Sequence, residues 1–142
     1  MCNIGKVNTT ELNAIWKVNR MTIDEQLEYK FILCLEGNDV ASNLKWVMSS
    51  KSIAVMSKPR FETWFMEGLL QPDYHYILIK DDYSDLEEKL AFYIKNQDKA
   101  LCIIENANVY VAQFKNTQQE DLISLCTLKK YFEKTNQVLE NM

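Results

Sequence analysis

The chain has no apolar run approaching the roughly 20 residues that a helical membrane span needs. Nothing at its start reads as a secretory signal, so the expected location is cytoplasmic, or peripheral at the inner-membrane face. It lacks a basic excess: 16 Lys and Arg stand against 20 Asp and Glu, for a net charge of −4. Binding to nucleic acid needs a basic face to neutralise phosphates, and none is evident. The 4 cysteines contain no C-x-x-C, and His75 is the single histidine, so no metal site and no Cys–His dyad of recognisable spacing is expected. There is no G-x-G-x-x-G, no P-loop lysine and no G-x-S-x-G, which counts against dehydrogenase, NTPase and hydrolase chemistry. Internal repeats and low-complexity tracts are also missing.

What is present is an ordinary globular composition, 47% hydrophobic and 25% charged, in 142 residues, enough for one domain. The organising stretch runs from Lys30 to Trp64. Phe31 to Leu35 is a short apolar run that predicts a buried strand. Glu36-Gly37-Asn38-Asp39 predicts a turn, with Gly37 free to take a positive φ and Asn38 or Asp39 able to cap a helix beyond it. Val40, Leu44, Val47 and Met48 fall at helical spacing, predicting that helix over about 40–48. Ile53 to Met56 predicts a second strand, and Pro59 a helix start carrying Phe61, Trp64 and Phe65. The order is that of a βαβ unit, and the fold class is α/β, a small parallel sheet with flanking helices.

Around that unit, residues 1–21 predict an irregular lead-in from which Ile4, Leu12, Ile15 and Trp16 can pack on the domain. Thr22 and Glu25 form a capping box for a short helix. Tyr74 to Lys80 predicts a third strand. Ser84-Asp85-Leu86-Glu87 predicts a second capping box, for a helix burying Leu86, Leu90 and Ile94. Asp98 is the expected cap of a helix over 99–115 with Leu101, Ile104, Val109 and Val111 on its apolar face. Thr117 to Glu120 is a third capping box, opening a helix through Leu122, Leu125, Leu128 and Phe132. The expected organisation is therefore a lead-in (1–21), an α/β unit (22–116) and a C-terminal helix packing on it (117–142). Cys34, Cys102 and Cys126 are expected as buried free thiols.

The ordered series Tyr29-Lys30-Phe31-Ile32, Glu36 to Trp46, Ser49-Ser50, Ser52, Glu62-Thr63-Trp64-Phe65, Pro72, His75-Tyr76 and Ser84 to Lys89 resembles glycosyltransferase family 90, the CAP10-like family, in its bacterial lipopolysaccharide branch. The opening Cys2-Asn3-Ile4-Gly5 is similar as well, and the likeness extends over about residues 2–115. The resemblance implies a GT-B fold of two Rossmann-like halves, of which this sequence looks like the C-terminal, donor-binding half. It implies a nucleotide-diphosphate sugar as donor substrate, a saccharide or lipopolysaccharide acceptor, and no cofactor or metal. The family's proposed general base lies in the N-terminal half, so no catalytic residue is assigned here. The alternative expectation is a catalytically inactive truncated remnant, or an interaction subunit that needs a separately encoded N-terminal half.

Gly37, Asn38, Asp39, Ser42, Asn43 and Lys45 are the candidate donor-pyrophosphate site, through free N–H groups at a helix start, the Ser42 hydroxyl and the Lys45 charge. An ordinary strand-to-helix turn is the competing account. Family members often place an arginine where Asn43 stands; Asn43 carries no charge to replace it, and Lys45 substitutes in part. Glu62 is the candidate acceptor for the donor's ribose hydroxyls, against a plain helix-start acid. Trp64 and Phe65 read as core, and His75 as a packed, hydrogen-bonded histidine. Asp81-Asp82-Tyr83-Ser84-Asp85 lacks the spacing of a metal-binding Asp-x-Asp.

Overall fold

The structure, a computed structural model, describes residues 3–7 and 11–137, without the side chains of 11–13. Three strands, β1 (Phe31–Leu33), β2 (Ile53–Met56) and β3 (Ile77–Leu78), form one parallel sheet in the order β1-β2-β3. The register sets Phe31 opposite Ile53 and Val55 opposite Ile77. Because side chains alternate across a strand, Ala54 and Met56 join one core cluster while Ile53 and Val55 join another on the opposite face. All four β2 residues are buried, as a central parallel strand requires.

Among the described residues there are five α-helices, α1 (Ile23–Leu27), α2 (Leu44–Met48), α3 (Leu86–Lys95), α4 (Gln97–Ala112) and α5 (Thr117–Lys134), of which α2, α3 and α4 cover the sheet. Leu44, Val47 and Met48 of α2 pack on one sheet face with Phe65, while Tyr93 of α3 packs on the other. Helix α4 serves both clusters, giving Ala107 and Val111 to the first and Ala100 and Ile103 to the second. The fold is thus α/β with a small parallel sheet, and the βαβ order of the central stretch is present.

Several elements depart from expectation. Residues 37–43 form bends and a turn, and α2 begins only at Leu44. Two bonds account for this: Asn43 Nδ2 donates to the Leu33 carbonyl at 2.9 Å, and Asp39 Oδ1 accepts from the Val40 N–H at 2.8 Å. Gly37 does not take a positive φ, and its missing side chain faces open space. No helix follows Pro59; the chain is irregular through Thr63, turns at Trp64–Phe65 and makes one short 3-10 helix, Glu67–Leu69. The N–H groups of Arg60 and Phe61 are drawn to the Glu36 carboxylate instead of entering a helical ladder.

The capping expectation holds at Thr22, where both halves of the box with Glu25 are formed. Elsewhere it shifts. Asp85, not Ser84, precedes α3, and its carboxylate accepts from the Lys80 N–H. Asn96, not Asp98, precedes α4. Asn116, one residue before Thr117, caps α5 by accepting from the Gln119 N–H. On α3, Tyr93 is buried and Ile94 exposed. On α4 the buried stripe is Ala100, Ile103, Ala107 and Val111, leaving Leu101 and Val109 exposed, because the small alanines let the helix lie close to the sheet.

The margins are open. The lead-in is not wholly irregular: a 3-10 helix spans Glu11–Trp16, and Lys6 bridges to Lys17. A Cβ at Gly5 would overlap the Val18 side chain, so that close approach requires glycine. Ile4, Ile15 and Trp16 are nevertheless exposed; Leu12's side chain and Cys2 lie outside the described residues. Helix α5 has no buried residue, and its Leu122, Leu125 and Leu128 face solvent. Cys34, Cys102 and Cys126 are free, but only Cys34 is buried.

Candidate functional site

Parallel strands send all their following loops to one edge of the sheet, and in open α/β sheets that carboxyl edge is where ligands bind. Here a crevice of about 180 Å³ opens at that edge. Its walls come from all three loops: Cys34, Leu35 and Glu36 after β1, Ser57 and Arg60 after β2, and Asp81 and Tyr83 after β3.

Each wall is held by local bonds. Glu36 accepts from the Arg60 and Phe61 N–H groups at 3.1 and 3.3 Å and pairs with Arg60 Nε at 3.2 Å. The Glu36 side chain is 9% exposed, whereas that of Arg60 is 68% exposed. Tyr83 has φ 59°, a left-handed backbone that a bulky residue adopts only where surroundings impose it. Its N–H donates to the Lys80 carbonyl and its carbonyl accepts from the Leu86 N–H, which fixes the bend that brings Tyr83 to the crevice wall. Burial pushes the Cys34 thiol up to about 12, against a smaller opposing effect of the Val55 backbone, so this cysteine is a thiol and not a nucleophilic thiolate at neutral pH.

The sequence-predicted donor residues divide. Gly37, Asn38, Asp39 and Ser42 lie on the exposed loop that continues from Glu36. Asn43 spends its amide on β1, and α2 has no side-chain cap. Lys45 is turned elsewhere. Its ammonium sits 3.2 Å from Glu67 Oε1 and 5.4 and 5.3 Å from the Trp64 and Phe65 ring centres. Glu67 is only 1% exposed and also accepts from Thr63, whose N–H lies at 2.7 Å and hydroxyl at 2.8 Å. Burial raises the Glu67 carboxyl, but hydrogen bonds from Thr63, its own N–H and Lys45 outweigh it and hold the group below the usual glutamate range. Glu62 is exposed on the same loop, with Oε1 3.1 Å from where a Cβ on Gly68 would stand.

Glu67, Arg60 and Tyr83 were not singled out by sequence. For Arg60 and Tyr83 the usable signal was positional: once three parallel strands are read, the residues after each become the wall; Glu67 carried no such signal. Phe65 is core as expected, while Trp64 is exposed and stacks edge-on against Phe65 and Phe114. His75 is packed and hydrogen-bonded, its Nδ1 accepting from the Gln71 N–H at 2.9 Å. Burial lowers its pKa and favours the neutral ring with the proton on Nε2. It lines a second cavity, of about 310 Å³, with Tyr74, Tyr110 and further residues of α4.

The family model described as glycosyl transferase family 90 matches residues 5–131 of the chain. An O-glucosyltransferase, LpsA of Dichelobacter nodosus, is 42% identical over 132 residues, which is 93% of this chain and 42% of LpsA. Two viral relatives are more distant. Uncharacterized protein 179R of Invertebrate iridescent virus 6 is 33% identical over 64% of this chain and 8% of its own length. Uncharacterized protein 035R of Invertebrate iridescent virus 3 is 32% identical over 63% of this chain and 8% of its own. The chain thus spans less than half the length of each of these relatives. Among the described residues no helix is long and apolar enough to cross a membrane.

Proposed function

The chain belongs to glycosyl transferase family 90, and from that premise we propose that it is the donor-binding part of a glycosyltransferase that moves a sugar from a nucleotide-diphosphate sugar to a saccharide acceptor of lipopolysaccharide type. The observation that carries this reading is the crevice at the carboxyl edge, walled by the loops after all three parallel strands. In the reaction, the bond from the anomeric carbon to the diphosphate oxygen breaks and a bond to the acceptor hydroxyl oxygen forms. The diphosphate leaves with the electron pair, and the hydroxyl proton goes to a base that this chain is not assigned to supply. The chain's part is to hold the donor and offset charge on the departing diphosphate. Residues Gly37 to Ser42 border the donor beside Glu36, and Glu62 accepts from ribose hydroxyls. A cytoplasmic location and GT-B partnership with an N-terminal half belong to the same proposal.

The test is calorimetric titration of the folded chain with UDP and, separately, GDP, for wild type and Glu62→Ala. Saturable binding of one nucleotide, weakened several-fold by Glu62→Ala, is the expected result. A folded chain that binds neither sinks the donor-binding reading. A second reading, an interaction subunit or remnant needing a separate half, is favoured by the exposed leucine face of α5. A monomer that shows no association in sizing experiments counts against it.

A further inference from the structure

The geometry points to Arg60, steadied by Glu36, as the cation that receives the donor's diphosphate, with Lys45 serving the fold instead. This rests on the donor-binding reading and assigns a residue within that site. Among the described residues, Arg60 is the only cation lining the crevice, whose walls come from all three loops. Glu36 holds its Nε and, through the backbone N–H groups of Arg60 and Phe61, fixes the loop that carries it. Neither Nη group makes a hydrogen bond to the described residues, so the outer edge of the guanidinium offers paired donors to an oxyanion.

Size supports the assignment. Pockets that enclose a drug-sized ligand run to about 300–1,000 Å³, and a crevice of about 180 Å³ suits one part of a nucleotide-sugar. Of the donor's parts, the diphosphate is the one that most needs a cation. Two carboxylates also line the crevice and must be reckoned with. Glu36 is already matched by Arg60 and by two N–H groups. Asp81 has no such match, and its charge opposes an anion at this place. Arg60 therefore has to offset Asp81 as well as the ligand, which makes its removal costly and makes removal of Asp81's charge favourable.

The experiment is titration of the purified full chain with UDP, GDP and inorganic pyrophosphate. The variants are Arg60→Ala, Arg60→Lys, Asp81→Asn and Lys45→Met, with Lys58→Ala as a control for loop charge outside the crevice lining. Melting curves establish that each variant is folded. Expected is a loss of tenfold or more in affinity for the bound nucleotide in Arg60→Ala, a smaller loss in Arg60→Lys, and tighter pyrophosphate binding in Asp81→Asn. Nucleotide binding by wild type that survives Arg60→Ala within twofold overturns the assignment and leaves the donor-binding reading standing. A loss in folded Lys45→Met equal to that in Arg60→Ala, or an equal loss in Lys58→Ala, also overturns it. No binding of UDP, GDP or pyrophosphate by folded wild type overturns both.

Discussion

Two acid–base pairs join the segment after β1 to the loop after β2, and they run side by side in the chain: Glu36 with Arg60, then Lys45 with Glu67. In both, one carboxylate is nearly covered and accepts backbone N–H groups from the opposing loop or its own turn. They differ in where the cation lies. Lys45 is 27% exposed and its ammonium is boxed in by Glu67 and two aromatic rings, while the Arg60 side chain is 68% exposed, with its guanidinium 5.8 Å from the Phe61 ring centre. Residue type alone therefore does not decide whether an ion pair supports the fold or remains open to a ligand. An exposed pair adds little stability because water and salt compete with it. A covered carboxylate must keep its partners, because losing them leaves desolvated groups unpaired.

The comparison breaks most visibly at Glu67. Glu67→Ala removes the acceptor of the Thr63 N–H and hydroxyl and the partner of Lys45. The expected loss is about 3 kcal/mol of unfolding free energy in urea melts, equivalent to a fall in Tm on the order of 10 °C for a chain this size. Glu67→Gln keeps the shape without the charge and should fall between. A loss below the level of ordinary surface substitutions would show that the covered pair is not a stabilising element.

The same carboxylate sets an acid limb. Its folded pKa is lowered, so the unfolded state binds the proton more readily, and stability from this group is present above its ordinary value of 4.5. It is lost as pH falls from there through the folded pKa. Urea midpoints measured downward from pH 6 should decline in that window for wild type and decline less in Glu67→Gln. Parallel acid limbs in the two proteins would assign the effect to other carboxylates.

A smaller effect is expected at Asn43. Its amide bonds the Leu33 carbonyl at the end of β1 at 2.9 Å. Asn43→Ala should cost about 1 kcal/mol, the usual net worth of one such bond, and should leave the melting transition cooperative. An unchanged urea midpoint would mean that water replaces the amide.

How far these features are legible in the sequence depends on the range of the forces involved. The strands at Phe31, Ile53 and Ile77, their parallel order and the Thr22–Glu25 box depend on local pattern or on chain order, and both are written in the sequence. Helix starts at Val40 and Pro59 depend on whether N–H groups find a better partner than the helical carbonyl. At Arg60 and Phe61 they do, in Glu36 some 24 residues earlier, and no local window contains that information. The stripe of α4 shows the same limit from another side. Leu101 and Val109 are the more apolar choice, but closeness to the sheet selects Ala100 and Ala107. Lys45 was legible as a cation near a strand-to-helix turn, yet its partner Glu67 lies on a different loop, and only the fold brings them together.

The least effect on stability, and the sharpest use of the comparison, is expected at Arg60. Its pair with Glu36 is exposed on the arginine side, so Arg60→Ala should change unfolding free energy by no more than about 0.5 kcal/mol. The backbone N–H groups of residues 60 and 61 remain to hold Glu36 after the side chain is cut away. Added salt should therefore leave the difference between the two melts nearly unchanged, since little screened attraction is at stake. Set beside Glu67→Ala, this variant separates the two roles that similar residues play on adjoining stretches of one loop. A drop in stability as large as that at Glu67 would make Arg60 a second fold-supporting cation, and any loss of nucleotide affinity in it would then reflect a displaced loop rather than a missing charge.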